Sequence, residues 1–279
     1  MFIHQIGLVS LSKKIKPERL AAVGAALQKQ AIRDLGPIWG IKATVDVFPH
    51  VNHIPVGYWP IIIKDKIDDP EAAGYHTDKH GQPFSLVAYS DDWSITCSHE
   101  MLEMLVDPFG NRLVASDSIV PGQGRAKYLV EVCDPSEDDG FGYNINGERV
   151  SDFYTPEYFD PVKTPGTRYS YTGFIKEPKQ ILKGGYLSWQ LPSTDEWWQA
   201  SFFGKKVKIE NISTDMQSMH GATIRSKMDR LSIKNRREIQ VSAESRAASK
   251  ERIKQAQKDN TSQAKHWLKE VERAGRKKK

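Results

Sequence analysis

The chain has 279 residues, 39% of them hydrophobic and 27% charged, with a net charge of +5. This composition is enough for one large domain with an appendage, and it excludes a fully disordered chain. No apolar run approaches the roughly 20 residues that span a bilayer, and residues 1–10 do not resemble an export signal. We therefore expect a soluble, cytoplasmic protein without membrane contacts, and association with a virion would also fit.

Apolar periodicity in the first third of the chain predicts one helix among several strands. Strands are expected at 2–10, 41–48, 57–66 and 83–89, where β-branched and aromatic residues concentrate. A helix is expected at 17–35, because Leu20, Val23 and Leu27 recur at spacings of three and four and Pro17 suits a helix start. All of these elements precede a His-Glu segment.

The His-Glu segment, residues 98–103, reads Ser-His-Glu-Met-Leu-Glu. In a helix, His99 and Glu103 lie on one face about 6 Å apart along the axis, so both can reach one metal ion. Imidazole nitrogen and carboxylate oxygen are both zinc ligands. Glu100 projects beside them, where it could accept a proton from an activated water, as in His-Glu-x-x-His peptidases.

A third metal ligand is expected from the segment 129–135. Its two acids, Glu131 and Asp134, stand in an apolar stretch, where carboxylates are costly to bury unless they bind a cation or are hydrogen-bonded. Glu131 is the first choice and Asp134 the second, while Asp107, about 12 Å beyond His99 along the axis, reaches poorly. The alternative is an ordinary strand end at which Asp134 starts a turn before Pro135.

These motifs resemble those of a little-characterised group of zincin-like proteins, in which His-Glu-x-x-Glu replaces His-Glu-x-x-His and a Glu-x-x-Asp element follows downstream. Phosphate-induced, exordium-like proteins carry a similar Glu variant. The resemblance covers roughly residues 1–160. It implies an α+β, zincin-like fold with a mixed, twisted sheet and a metal-binding active-site helix. It also implies that His99 and Glu103 are ligands and Glu100 is the base.

A carboxylate in place of the second imidazole changes the metal chemistry. With His99, Glu103 and Glu131 as ligands, two carboxylates would cancel the charge of a divalent ion, which would then acidify water less strongly. Oxygen-rich coordination also admits manganese, iron or calcium besides zinc. Catalysis is consequently a less secure expectation than metal binding.

Three further residues are candidates for stabilising negative charge on a reacting group. His76 could line the cleft, although a surface hairpin histidine is the simpler interpretation. Tyr143 could donate a phenolic hydrogen bond, as could Tyr154, although half-buried tyrosines with wet hydroxyls are the simpler interpretation for both.

The leading functional hypothesis is a metal-dependent hydrolase acting on peptide or protein substrates, which would pair with the strand at 83–89. The alternative is a non-catalytic structural or interaction protein, for example a phage or mobile-element component, that keeps a zincin scaffold with a structural metal. A third hypothesis is nucleic-acid binding through the C-terminal region.

Charge gives the clearest expected boundary. Residues 222–279 contain 18 Lys and Arg against 7 Asp and Glu, a net +11, so residues 1–221 carry −6. We expect a metal-binding domain at 1–221, with halves of about 1–110 and 111–221, followed at 222–279 by a basic, helical or partly disordered tail. That tail would contact polyanions or a protein partner, and few of its side chains would be buried in the body.

Overall fold

A computed structural model describes residues 2–68, 72–219 and 224–237, together with the isolated positions 265 and 269. Its first sheet has five strands in the spatial order β2-β1-β3-β5-β4. The strands are β1 (His4–Ser10), β2 (Ala43–Phe48), β3 (Trp59–Lys64), β4 (Gly74–Lys79) and β5 (Gln82–Ala88). The first four in that order run parallel, whereas β4 is antiparallel to β5 and forms an edge of the sheet.

The predicted helix at 17–35 is present, but it is not regular throughout. Helix α1 (Pro17–Lys29) continues into wider π-helical turns over Gln30–Leu35 and then into the short α2 (Gly36–Trp39). Such wide turns change which side chains face the core. Here they bury Gln30 and Asp34, and Gln30 accepts a hydrogen bond from the hydroxyl of Ser98 in the His-Glu helix at 2.7 Å.

The His-Glu helix is α3 (Trp93–Val106), which follows β5 after a short connection and packs on β4 and β5. Nearly all its side chains are buried, so α3 is a central element of the fold. Met101, Leu102 and Leu105 anchor it in the hydrophobic core. The polar residues of the same helix are therefore held rigidly inside the protein.

The second half of the chain forms a separate, wholly antiparallel sheet with the order β12-β11-β10-β7-β6. Its strands are β6 (Leu113–Asp117), β7 (Arg125–Leu129), β10 (Tyr186–Leu191), β11 (Glu196–Ser201) and β12 (Lys208–Asn211). Between β7 and β10 lies the hairpin of β8 (Tyr143–Ile145) and β9 (Glu148–Val150). Its Asn146-Gly147 turn has φ values of 53° and 80°, as the Asn-Gly pair predicts.

The two sheets share one hydrophobic core that also includes α3. The fold class is therefore mixed α+β, as expected. None of the helices within the described residues is long and apolar enough to cross a membrane.

The first part of the predicted tail packs against the body. Helix α4 (Ser213–Ser218) is followed by α5 (Ile224–Arg237), which buries Arg225, Met228, Leu231 and Ser232. Met228 and Leu231 pack with side chains of the body in a second small cluster, formed with Leu129, Ile212 and Met216. The expectation that residues after 221 bury few side chains is thus wrong for α5. Residues 238–279, apart from 265 and 269, lie outside the described residues, so the basic tail and the division at 221 stay predictions.

Candidate metal centre

Three polar residues of α3, His99, Glu100 and Glu103, face away from its apolar anchors. Glu100 and Glu103 are buried, and the side chain of His99 is only 12% exposed. Buried carboxylates are costly unless they meet a cation or hydrogen-bond donors. The structure supplies such partners from three other parts of the chain.

His99 is the meeting point of two carboxylates. Its Nε2 lies 3.2 Å from Oε2 of Glu103, one helical turn away, and 3.3 Å from Oδ1 of Asp134. Asp134 lies in the segment that follows β7, as does Glu131, and these two acids and Glu103 each offer an oxygen within 4.8 Å of one another. We refer to His99, Glu103, Glu131 and Asp134 as the His-acid cluster.

The two oxygens of Glu103 have different environments. Oε1 accepts a hydrogen bond from the backbone N–H of Cys133 at 3.1 Å, whereas Oε2 faces His99. The thiol of Cys133 is also near, because its Sγ and one ligand atom each of His99 and Glu103 lie within 4.8 Å of one another. Burial and the charge of Glu103 raise the pKa of Cys133, so the thiol stays protonated.

Electrostatics favour ionisation of both His99 and Glu103. Burial alone would lower the pKa of His99, but the charge of Glu103 and the hydrogen bonds to Asp134 and Glu103 raise it well above its ordinary value. Burial likewise opposes ionisation of Glu103, yet the charges of Arg225 and His99 hold its pKa below its usual range. The cluster therefore attracts cations, and a metal ion would have to displace the proton of His99.

Glu100 lies beside the cluster and has different neighbours. Its Oε2 is 3.6 Å from Nδ1 of His76 on β4 and 3.4 Å from Nη2 of Arg225 on α5. Strand β4 can lie close to α3 because residue 74 is a glycine. A Cβ at Gly74 would lie 2.8 Å from Cγ2 of Thr96 and 3.1 Å from Cγ of Glu100. Glu100 is thus held between a strand and a helix.

His76 is buried, so the interpretation of a surface hairpin histidine is wrong. Its Nε2 lies 2.9 Å from the backbone carbonyl of Asp107, and since a carbonyl only accepts, Nε2 is the donor. Nδ1 then faces Glu100. With both ring nitrogens directed at protein atoms, His76 positions Glu100 and does not point at a substrate.

The two candidate tyrosines differ in surroundings. The hydroxyl of Tyr143 donates a hydrogen bond to Oδ2 of Asp34 at 2.8 Å, so its proton is directed at that carboxylate. Tyr154 is fully buried, and its hydroxyl has no hydrogen-bond partner among the described residues. Burial, Tyr158 and then the charge of Glu131 raise the pKa of Tyr154, so it remains a neutral donor near the cluster.

Asp107, the poorest of the predicted ligands, has a structural role. It ends α3, and its Oδ2 accepts a hydrogen bond from the backbone N–H of Arg112 at 2.8 Å. This contact fixes the chain where it turns toward β6. The carboxylate is therefore not among the groups that meet at His99.

Arg225 is the member of the site that sequence reasoning missed. Its Nη1 lies 2.5 Å from Oε2 of Glu103 and 3.4 Å from Oε2 of Glu131. One signal could have revealed it, because Arg225 shares the helix face of Met228 at a spacing of three. An arginine on the buried face of an amphipathic helix requires an acidic partner in the body.

The structure thus brings together His99, Glu103, Glu131, Asp134, Glu100 and His76, whereas the hydroxyl of Tyr143 bonds Asp34. No protein-family model, curated protein or solved structure matches the chain. The geometry of the site therefore carries the functional argument.

Proposed function

We propose that this protein is a zincin-like, metal-dependent hydrolase in which His99, Glu103 and Asp134 bind the metal ion. One observation carries the proposal. Nε2 of His99 lies 3.2 and 3.3 Å from carboxylate oxygens supplied by two separate elements, α3 and the segment after β7. The observed order of strand, helix, further strands and His-Glu helix also agrees with the order predicted from the sequence.

These residues fit a zinc ion in both distance and donor type. Two atoms bound to one tetrahedral ion at about 2.0–2.2 Å lie about 3.3–3.5 Å apart, which is close to both distances from His99. Imidazole with carboxylates is an accepted donor set for zinc, and manganese or iron would also fit it. The buried Oδ2 of Asp134 and hydroxyl of Tyr154 lack hydrogen-bond partners among the described residues, so the surroundings are suited to a further bound group.

The chemistry that the chain itself supplies centres on Glu100. A bound divalent ion contributes Lewis acidity, which lowers the pKa of water and polarises a carbonyl group. Glu100 is adjacent to the ligands but is not one of them, so its carboxylate is available to accept a proton and return it to a leaving amine. His76 and Arg225 fix the orientation of that carboxylate. Tyr154 is a neutral donor for developing negative charge.

A peptide substrate would pair with β4 and not with the strand at 83–89. That strand corresponds to β5, whose two edges are already paired with β3 and β4. Strand β4 is an edge of the sheet and carries His76. Extended peptides bind exposed strand edges through main-chain hydrogen bonds, so we assign the substrate to β4.

A structural role of the metal is the second candidate, and burial favours it. Glu103, Glu131 and Asp134 are nearly inaccessible, and His99 is the exposed member of the cluster. An ion at this position would stabilise the junction of α3 with the segment after β7. The protein would then act through its surfaces as a scaffold or interaction partner.

Zinc titration of the chelator-stripped full chain tests the proposal. We expect about one zinc ion per chain, and we expect His99→Ala to weaken binding at least about 100-fold, since it removes a direct ligand. His50→Ala, at an exposed histidine, is the matched control and should bind as wild type does. Equal zinc binding by wild type and His99→Ala would remove the proposed site.

Turnover of a peptide library with zinc, manganese or cobalt separates the two candidates. Metal binding with cleavage supports the hydrolase. Metal binding without cleavage under all three ions favours the structural role.

A further inference from the structure

Arg225 is a buried cation inside an acidic site. The side chain is 2% exposed, and its guanidinium group contacts Glu103, Glu131 and Glu100 at 2.5, 3.4 and 3.4 Å. A guanidinium group removed from water is costly unless carboxylates compensate it. Its position is therefore tied to these three residues.

Packing on both sides of Arg225 fixes how it enters the site. Met228 and Leu231 hold α5 against Leu129 and neighbouring side chains. Gly110 lies against the arginine stem, where a Cβ would come within 2.7 Å of Cβ of Arg225, and its φ of +58° also favours glycine. The fold thus leaves room for Arg225 at this place.

The carboxylates of the His-acid cluster divide into two proposed ligands, Glu103 and Asp134, and a third group, Glu131, that contacts Arg225. Glu103 and Asp134 together would balance a divalent ion that neutral His99 would also bind. Glu131 is a third carboxylate, with an oxygen within 4.8 Å of oxygens of both Glu103 and Asp134. A divalent ion cannot neutralise all three. Arg225 supplies a further positive charge, 3.4 Å from Oε2 of Glu131 and 3.4 Å from Oε2 of Glu100. Its Nη1 is closer to Oε2 of Glu103, at 2.5 Å, but that oxygen also lies 3.2 Å from Nε2 of His99, so Glu103 can face the ion and Arg225 together.

We infer that Arg225 holds Glu131 away from the metal ion and so keeps one coordination position open to water. This inference rests on the proposed function. Zinc sites closed by four protein ligands are structural, whereas catalytic sites have three protein ligands and one open position. Arg225 is in this sense a positioning residue that sets the number of protein ligands. It also explains why Glu131, the first choice as third ligand from the sequence, is replaced by Asp134.

Manganese binding and water-proton relaxation provide the test, because relaxivity reports exchangeable water on the ion independently of activity. Glu131→Gln alone should retain manganese with nearly unchanged affinity and relaxivity. Arg225→Met should allow Glu131 to bind the manganese ion. The ion then gains a charged ligand, so manganese affinity should be at least about tenfold tighter and water-proton relaxivity should be lower. Adding Glu131→Gln to Arg225→Met should restore both wild-type values.

Loss of the arginine charge by itself would also tighten cation binding, and two comparisons isolate the coordination effect. A purely electrostatic effect makes the two substitutions additive, whereas the inference requires Glu131→Gln to act only when Arg225 is replaced. Lys227→Met removes a positive charge from the same helix and should change neither quantity.

The outcomes separate the inference from the proposed function. Wild type that binds no metal overturns the proposed function. Wild type that binds manganese while Glu131→Gln does not makes Glu131 an obligatory ligand and overturns the inference alone, even if Arg225→Met fails to fold. Additive substitutions, or unchanged relaxivity in a folded Arg225→Met variant, overturn it as well.

Discussion

Nη1 of Arg225 lies 2.5 Å from Oε2 of Glu103, so a residue of α5 contacts the central carboxylate of α3. The contact joins the start of the basic C-terminal region to the His-acid cluster. Residues that charge alone assigns to an appendage therefore take part in the electrostatics of the candidate site.

Asp134 is expected to be the third metal ligand. Asp134→Asn keeps the shape of the side chain but removes its charge, so zinc affinity should fall at least about tenfold, as measured by competition with a chelating dye. Asp107→Asn is the control. Asp107 is also buried, but its carboxylate accepts a hydrogen bond from the backbone N–H of Arg112 and is not proposed as a ligand. Equal losses of zinc affinity in the two variants would show a general effect of charge and would contradict the role of Asp134 as a ligand.

Glu100 is expected to act as a base and not as a ligand. Glu100→Gln should bind zinc as wild type does but lower the rate of peptide hydrolysis at least about 100-fold, because the amide cannot accept the proton. Glu157→Gln, at an exposed position, should keep full activity. Unchanged hydrolysis by Glu100→Gln would assign the proton transfer to another group.

Asp139 is expected to destabilise the fold near neutral pH. Burial, followed by the charges of Asp92 and Asp138, raises its pKa to about 6 from 3.8. The folded state then binds the proton more tightly than the unfolded state, so this contribution to stability is present below about pH 4 and is lost as pH rises through 6.

Asp139→Asn should consequently raise Tm at pH 7.5 and leave it nearly unchanged at pH 4. Asp91→Asn replaces an exposed aspartate and should shift Tm little at either pH. An increase in Tm of Asp139→Asn that is equal at pH 7.5 and pH 4 would show that ionisation of Asp139 is not the cause.

Local spacing was sufficient to predict α3 and the shared face of His99 and Glu103, because both follow from helical geometry. Burial cost was sufficient to select Glu131 and Asp134, since two acids in an apolar stretch need a partner. It could not rank them. We propose that their order depends on Arg225, which comes from a distant part of the chain.

Two other features could not be predicted from the sequence, for similar physical reasons. The sequence predicts no strand at 74–79, because Gly74, Asp78 and Lys79 are residue types that are depleted in strands. Tyr143 was expected near the site, but the π-helical turns bury Asp34, which accepts from its hydroxyl. In both cases tertiary contacts decide the outcome, and sequence periodicity does not contain them.

Residues 238–279 are expected to bind polyanions through charge alone. They contain 12 Lys and Arg against 6 Asp and Glu, and Trp267 is their one aromatic residue. Binding of the full chain to a DNA column should therefore weaken steeply between low and high salt, as counterion release loses its advantage. A chain ending at residue 237 should be retained less at low salt. Retention that does not change with salt, or with removal of the segment, would contradict a charge-led contact.

Two truncations should differ sharply in stability. A chain ending at residue 237 retains α5 with its buried Met228 and Leu231 and the contacts of Arg225, and we expect it to keep the melting temperature of the full chain. A chain ending at residue 221 loses the buried Met228 and Leu231, whose removal costs about 3 kcal/mol or more in total.

The shorter truncation also removes the guanidinium group of Arg225 from Glu100, Glu103 and Glu131, and carboxylates that lose a buried cationic partner repel one another more strongly. We expect its Tm in a chelator to fall at least about 6 °C, given about 2–4 °C per kcal/mol for a domain of this size. Met228→Ala in the full chain is the control for packing alone and should produce a smaller decrease. Equal melting temperatures for the chains ending at 221 and 237 would restore the division at 221 and contradict the integration of α5.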